Sequence, residues 1–236
     1  MMIIDIDNSS SVQSFVSKIT SDWFDIDGIY YDLKSDSQTN WTNFWNITDS
    51  MINIISNFLG CTSEEFLKSW EKKCTEHDAK LMGYHCTRHS NKEVFAINGI
   101  LPLSEETISL SQTQERSDAE NLWDYRSNRG PGPYFFLSYK SAKNPDNHFF
   151  KGPEILLAVD GHQPGSNSEK SIPFIIHCAI PFSILPDKNY YTFCILRAYF
   201  NFLDPEDDAE DIFDAYSIDL KGNVLDSQHV VRTEDI

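Results

Sequence analysis

The chain has 236 residues, of which 40% are hydrophobic and 13% aromatic. That is enough apolar material for one large domain, or for a domain of about 150 residues behind a helical lead-in, and it excludes a disordered chain. The formal net charge of −17 opposes a bare phosphate backbone and favours high solubility or a basic protein partner.

The five cysteines, Cys61, Cys74, Cys86, Cys178 and Cys194, form no C-x-x-C pair. This is the usage of free thiols in a reducing compartment. The N-terminal Met-Met-Ile-Ile-Asp-Ile-Asp carries no basic region, and nothing later approaches the roughly 20 apolar residues of a membrane span. A cytoplasmic protein without membrane contact is expected.

Residues 1–80 read as a helical lead-in or scaffold. Ser9 to Ser11 cap a helix through Val12, Phe15, Val16 and Ile19. Asp25 to Leu33 reads as a loop or short strand, and 34–40 as a surface loop. One helix is expected from Thr42 to Leu59, stopped by Gly60. Thr62 or Ser63 caps another, with Glu64 and Glu65 in its first turn, running to about His77.

From residue 81 the pattern turns to strands. Leu81 to Thr87 reads as a strand, and Asn91 to Asn98 as a short helix with Gly99 as its C-cap. Asn128 to Pro133 is a turn that delivers the strand Tyr134–Ser138. Strands are also expected at 154–159, 172–180 and 190–196, and 197–203 reads as strand or short helix. A hairpin is expected from 216–220 and 224–231 around Lys221-Gly222-Asn223. Strand following strand predicts an α+β domain over 81–236 with a mostly antiparallel or mixed sheet. Neither G-x-G-x-x-G nor G-x-x-x-x-G-K-[ST] is present. Cys74, His77, His85, Cys86 and His89 match no usual zinc spacing, so no metal is expected. The acidic run 204–211 lacks the pattern of a calcium loop and reads as a solvated or protein-binding segment.

The chemistry concentrates in Tyr84-His85-Cys86-Thr87-Arg88, followed one helix later by Asn98-Gly99-Ile100-Leu101-Pro102. A half-exposed strand with one satisfied His is the plain structural account of it. The stretch also resembles the first nucleotide-binding strand of the ADP-ribosyltransferase superfamily, where a His-x-Thr strand feeds a helix ending in Gly-Leu/Ile-x-Pro. The resemblance implies that His85 bonds the adenosine ribose of NAD and that the Cys86 backbone pairs with the nicotinamide carboxamide. Thr87 and Arg88 suit hydroxyl and phosphate contacts, since Arg offers a planar donor fork. Gly132 to Ser138 resembles the superfamily's second strand, Gly-x-Tyr-Phe-x-x-Ser. That implies an aromatic stacked on nicotinamide, which Tyr134, Phe135, Phe136 and Tyr139 offer, with Ser138 nearby and Arg129 as a candidate for the pyrophosphate.

ADP-ribosyl transfer passes through an oxocarbenium-like state that a carboxylate must steady. In the superfamily this Glu lies on a late strand. Gln228 occupies that place here, and Glu154, at a strand start after Gly152-Pro153, is the other candidate. The resemblance covers about residues 81–160 and, more loosely, the C-terminal hairpin. It implies an ADP-ribosyltransferase-like split sheet with NAD between its halves. The implied activity is NAD-dependent mono-ADP-ribosylation of a protein or nucleic-acid acceptor, of the kind used by toxins and in conflicts between bacteria and phages. A catalytically inactive nucleotide-binding or acidic protein-interaction module on the same scaffold is the alternative.

Overall fold

A computed structural model describes residues 1–89, 91–102, 132–144, 172–204 and 217–236. Arg129, Glu154 and the acidic run beyond Asp204 lie outside them, as does the expected strand at 154–159. Among the described residues the chain is α+β, with six strands and eight α-helices. The first elements are β1 (Met2–Ile4), α1 (Ser9–Thr20), α2 (Ile26–Ser35), α3 (Trp41–Asn46), α4 (Thr48–Phe58), α5 (Ser63–Glu76) and β2 (Ala79–His89). Then follow α6 (Glu93–Asn98), β3 (Tyr134–Phe136), α7 (Tyr139–Lys143), β4 (Ile172–Pro181), α8 (Lys188–Leu203), β5 (Ser217–Asp219) and β6 (Val230–Asp235). The chain forms two compact units, Met1–Leu81 with Pro181–Ile212, and Met82–Ile180 with Phe213–Ile236.

In the first unit, side-chain caps set the helix starts. Asn8 accepts a hydrogen bond from the Ser11 N–H, and Asp25 from the Gly28 N–H. The stretch read as a loop or strand at 25–33 is therefore mostly helix α2. Gly28 permits it, because a Cβ there would sit 2.7 Å from the Asp25 carboxylate. The single helix expected over 42–59 breaks at Ile47, which is extended at φ −119 and ψ 112. Thr62 and Glu65 form a reciprocal capping box at the start of α5. β1 runs parallel to the start of β2, with Met2 opposite Ala79 and Ile4 opposite Leu81.

α8 corrects the expected strand at 190–196. Asp187 caps it, and every residue from Tyr191 to Asn201 is buried. A helix buried all round has no polar stripe, so its β-branched and aromatic residues imitate a strand. It supplies Phe193, Leu196 and Phe200 to a core with Phe15, Phe44 and Trp70. Tyr30 stacks on Phe200 at 5.0 Å, and Phe15 meets Trp70 edge-on at 6.3 Å.

The second unit is built on one open sheet in the order β5-β3-β2-β4-β6. β2 with β3, β3 with β5, and β4 with β6 are antiparallel. Among the described residues all six strands belong to one open sheet, where a split pair was expected. The expected C-terminal hairpin does not pair. Its turn forms, with Lys221 at φ 53 and Gly222 at φ 86, but β5 joins β3 and β6 joins β4 at opposite ends of the sheet. No helix among the described residues is long and apolar enough to cross a membrane.

Candidate functional site

β2 alternates its side chains between the two faces of the sheet. Gly83, His85 and Thr87 share one face, and Met82, Tyr84 and Cys86 share the other. Gly83 makes room for the first set. A Cβ there would lie 2.7 Å from Ile180 Cδ1 and 3.1 Å from Phe135 Cβ. His85 stands beside Phe135, with ring centroids 5.5 Å apart. Its Nδ1 lies 2.8 Å from the Tyr134 carbonyl oxygen. A carbonyl only accepts, so Nδ1 carries the proton. Burial holds the His85 pKa below its ordinary value, and the Tyr134 bond opposes that in part. Thr87 is buried on the same face.

The structure thus joins the two sequence motifs. β2 and β3 are hydrogen-bonded neighbours, with Tyr84 opposite Phe136. Tyr134 contributes its carbonyl to His85, while the aromatic side chain on the His85 face is Phe135. Ser138 stands at the start of α7. It is buried, and its hydroxyl caps α7 by accepting from the Ser141 N–H at 3.2 Å. Cys86 is buried, its thiol donates to the Ala142 carbonyl at 3.4 Å, and burial pushes its pKa up to about 12. It is no nucleophile at neutral pH. Arg88 lies on β2. Gln228 sits in a 3-10 turn, Ser227–His229, ahead of β6, and is exposed. Its amide nitrogen lies 3.5 Å from His229 Nε2. Gln228 is therefore a turn residue and no strand residue beside His85.

The Tyr84 face holds a polar network that the sequence reading missed. Glu234, on β6, accepts from the Tyr139 hydroxyl, from Lys143 Nζ at 3.0 Å, from His177 Nε2 at 3.0 Å and from Arg232 at 3.3 Å. The Tyr139 hydroxyl and then Lys143 hold the Glu234 carboxyl down to about 2. Rings surround the network, with Tyr84 5.2 Å from His177 and 5.4 Å from Tyr139. Two signals point to it in sequence: His177 interrupts an apolar strand, and Arg232 and Glu234 alternate onto one face.

All five cysteines are free. Among the described residues, no group of three or more His, Cys, Asp or Glu side chains is arranged to hold a metal ion. The chain matches no family model, no curated protein and no solved structure.

Proposed function

We propose that this chain is an NAD-dependent mono-ADP-ribosyltransferase. One observation carries the reading. Two motifs separated by about 50 residues of sequence meet as adjacent strands, and His85 is oriented by the carbonyl of the motif tyrosine, Tyr134. In this reading His85 and Thr87 face the dinucleotide, and Phe135 shares their face. Arg88 and Arg129 are the candidates for its phosphates, and Glu154 is the carboxylate that steadies the oxocarbenium. The C1′–N1 bond breaks and nicotinamide leaves with the bonding pair. The acceptor nucleophile, on a protein or a nucleic acid, bonds C1′ and releases a proton.

A second reading is an inactive nucleotide-binding or acidic interaction module on the same scaffold. It is favoured by where the acids stand. Glu234 belongs to the face opposite His85, and Gln228 is both uncharged and exposed in a turn. NAD⁺ cleavage by the full chain, followed as nicotinamide release with and without cell extract, separates the two. Release by the parent that falls at least about 100-fold in Glu154→Gln supports the transferase. NAD⁺ binding in the calorimeter without any release supports the module.

A further inference from the structure

The first unit carries a cavity of about 680 Å³ between α4, α5 and the start of α8. Cavities of roughly 300–1,000 Å³ are the size that holds small molecules. Two cross-links fix its walls: Lys188 with Glu71 joins α8 to α5, and Ser63 with Asn53 joins α5 to α4. Its apolar lining is Ile52, which is buried, and Leu67, which is half-buried. Three further charged side chains line it, Asp49 of α4 and Glu64 and Lys68 of α5. Lys68 has Glu64 one turn before it and Glu71 one turn after, both places where a helix supports an ion pair. It takes neither. Glu71 goes to Lys188, and among the described residues the side chains of Asp49, Glu64 and Lys68 make no hydrogen bond or ion pair. Charges of both signs therefore line one cavity, beside an apolar wall, without neutralising one another.

We propose that this cavity binds a free α-amino acid with an apolar side chain. The ligand's ammonium goes to Asp49 and Glu64, its carboxylate to Lys68, and its side chain lies against Ile52 and Leu67. A ligand of one sign fails here: an amine meets Lys68, and a carboxylic acid meets Asp49 and Glu64. A small molecule bearing both charges on one carbon answers all three. Because the charged side chains are exposed to water, each contact adds little and the affinity is modest. The site lies wholly within the first unit and is independent of the proposed NAD site.

The test is a titration of the full-length chain with L-leucine, followed by the methyl signals of Ile52 and Leu67, which are assigned from Ile52→Val and Leu67→Met. L-leucinamide, which lacks the carboxylate, and N-acetyl-L-leucine, which lacks the ammonium, are run alongside. Leucine is expected to shift both signals saturably, with a dissociation constant of about 1 mM. Each analogue should bind about tenfold more weakly. Lys68→Gln should erase the preference over leucinamide, and Asp49→Asn with Glu64→Gln the preference over N-acetyl-leucine. The analogues probe the same contacts in the parent, whatever the substitutions do to folding. No saturable shift up to about 50 mM leucine, or analogues that bind as well as leucine, overturns the proposal. So do variants that keep both preferences. None of these outcomes bears on nicotinamide release, so the NAD reading stands or falls separately.

Discussion

The two faces of the sheet hold two histidines, His85 of β2 and His177 of β4, in opposite situations. His85 gives one nitrogen to a backbone carbonyl and keeps the other unpartnered among the described residues. His177 is bound to Glu234, whose carboxylate is also held by Tyr139, Lys143 and Arg232. The first arrangement leaves hydrogen-bonding capacity for a ligand. The second consumes its capacity in tying β6 to β4 and α7. The difference teaches that a cluster rich in titratable groups is a poor guide to function when its members satisfy one another, and that a sparse face with one oriented, half-satisfied ring is the better candidate.

The sharpest way to break this comparison is to truncate each histidine. If His85 positions the dinucleotide as proposed, His85→Ala lowers nicotinamide release about 100-fold. His177→Ala should leave release per folded molecule within about twofold while lowering stability. The reverse pattern, with activity lost in His177→Ala and kept in His85→Ala, would move the site to the Glu234 face.

Glu234→Ala comes next. It strands four donors around a partly buried position, and a loss of about 1–3 kcal/mol in urea unfolding is expected. The pH dependence follows from the same contacts. The folded Glu234 pKa, about 2, lies below its ordinary value of 4.5. Its contribution is thus fully present above pH 4.5 and is lost as the pH falls towards 2. The parent should therefore lose stability more steeply across that window than Glu234→Gln does. Parallel curves would mean that the network contributes nothing. On the other face, Gly83→Ala should cost about 1–2 kcal/mol through overpacking against Ile180 and Phe135. A neutral outcome would show that the two side chains move aside cheaply.

What could be read in the sequence was local. Thr62 and Glu65 signal their own helix start, because both halves of the capping box lie within one turn. Gly99 signals the end of α6 for a similar reason, at φ 75. The His85 strand, its helix and the Tyr134 strand were legible as separate pieces, and only their pairing needed the fold. What was not legible depends on distant partners. β1 exists because Ala79 to Leu81 lie beside it. α8 lacks a helical stripe because every residue from Tyr191 to Asn201 is buried. Glu234 is an ordinary strand acid until Tyr139, Lys143 and His177 arrive from two other elements.

The smallest expected effect concerns Gln228, and it bears on the first comparison most directly. Turn chemistry at Lys221-Gly222 made a hairpin with Gln228 on its second strand a fair reading, and the resemblance gave that residue the place of the superfamily's Glu. The turn is present, with the Asn223 N–H bonded to the Leu220 carbonyl at 3.0 Å. The chain after it bridges Leu225 to Ile100 and makes a 3-10 turn, and only then enters β6. Gln228 is left exposed in that turn. Gln228→Ala should therefore change stability by less than about 0.5 kcal/mol and leave both NAD⁺ affinity and nicotinamide release unchanged. Gln228→Glu, which supplies the charge the proposed transfer calls for, should be equally silent. A gain of release in Gln228→Glu would mean that the turn reaches the dinucleotide after all, and the carboxylate role would then pass from Glu154 to position 228.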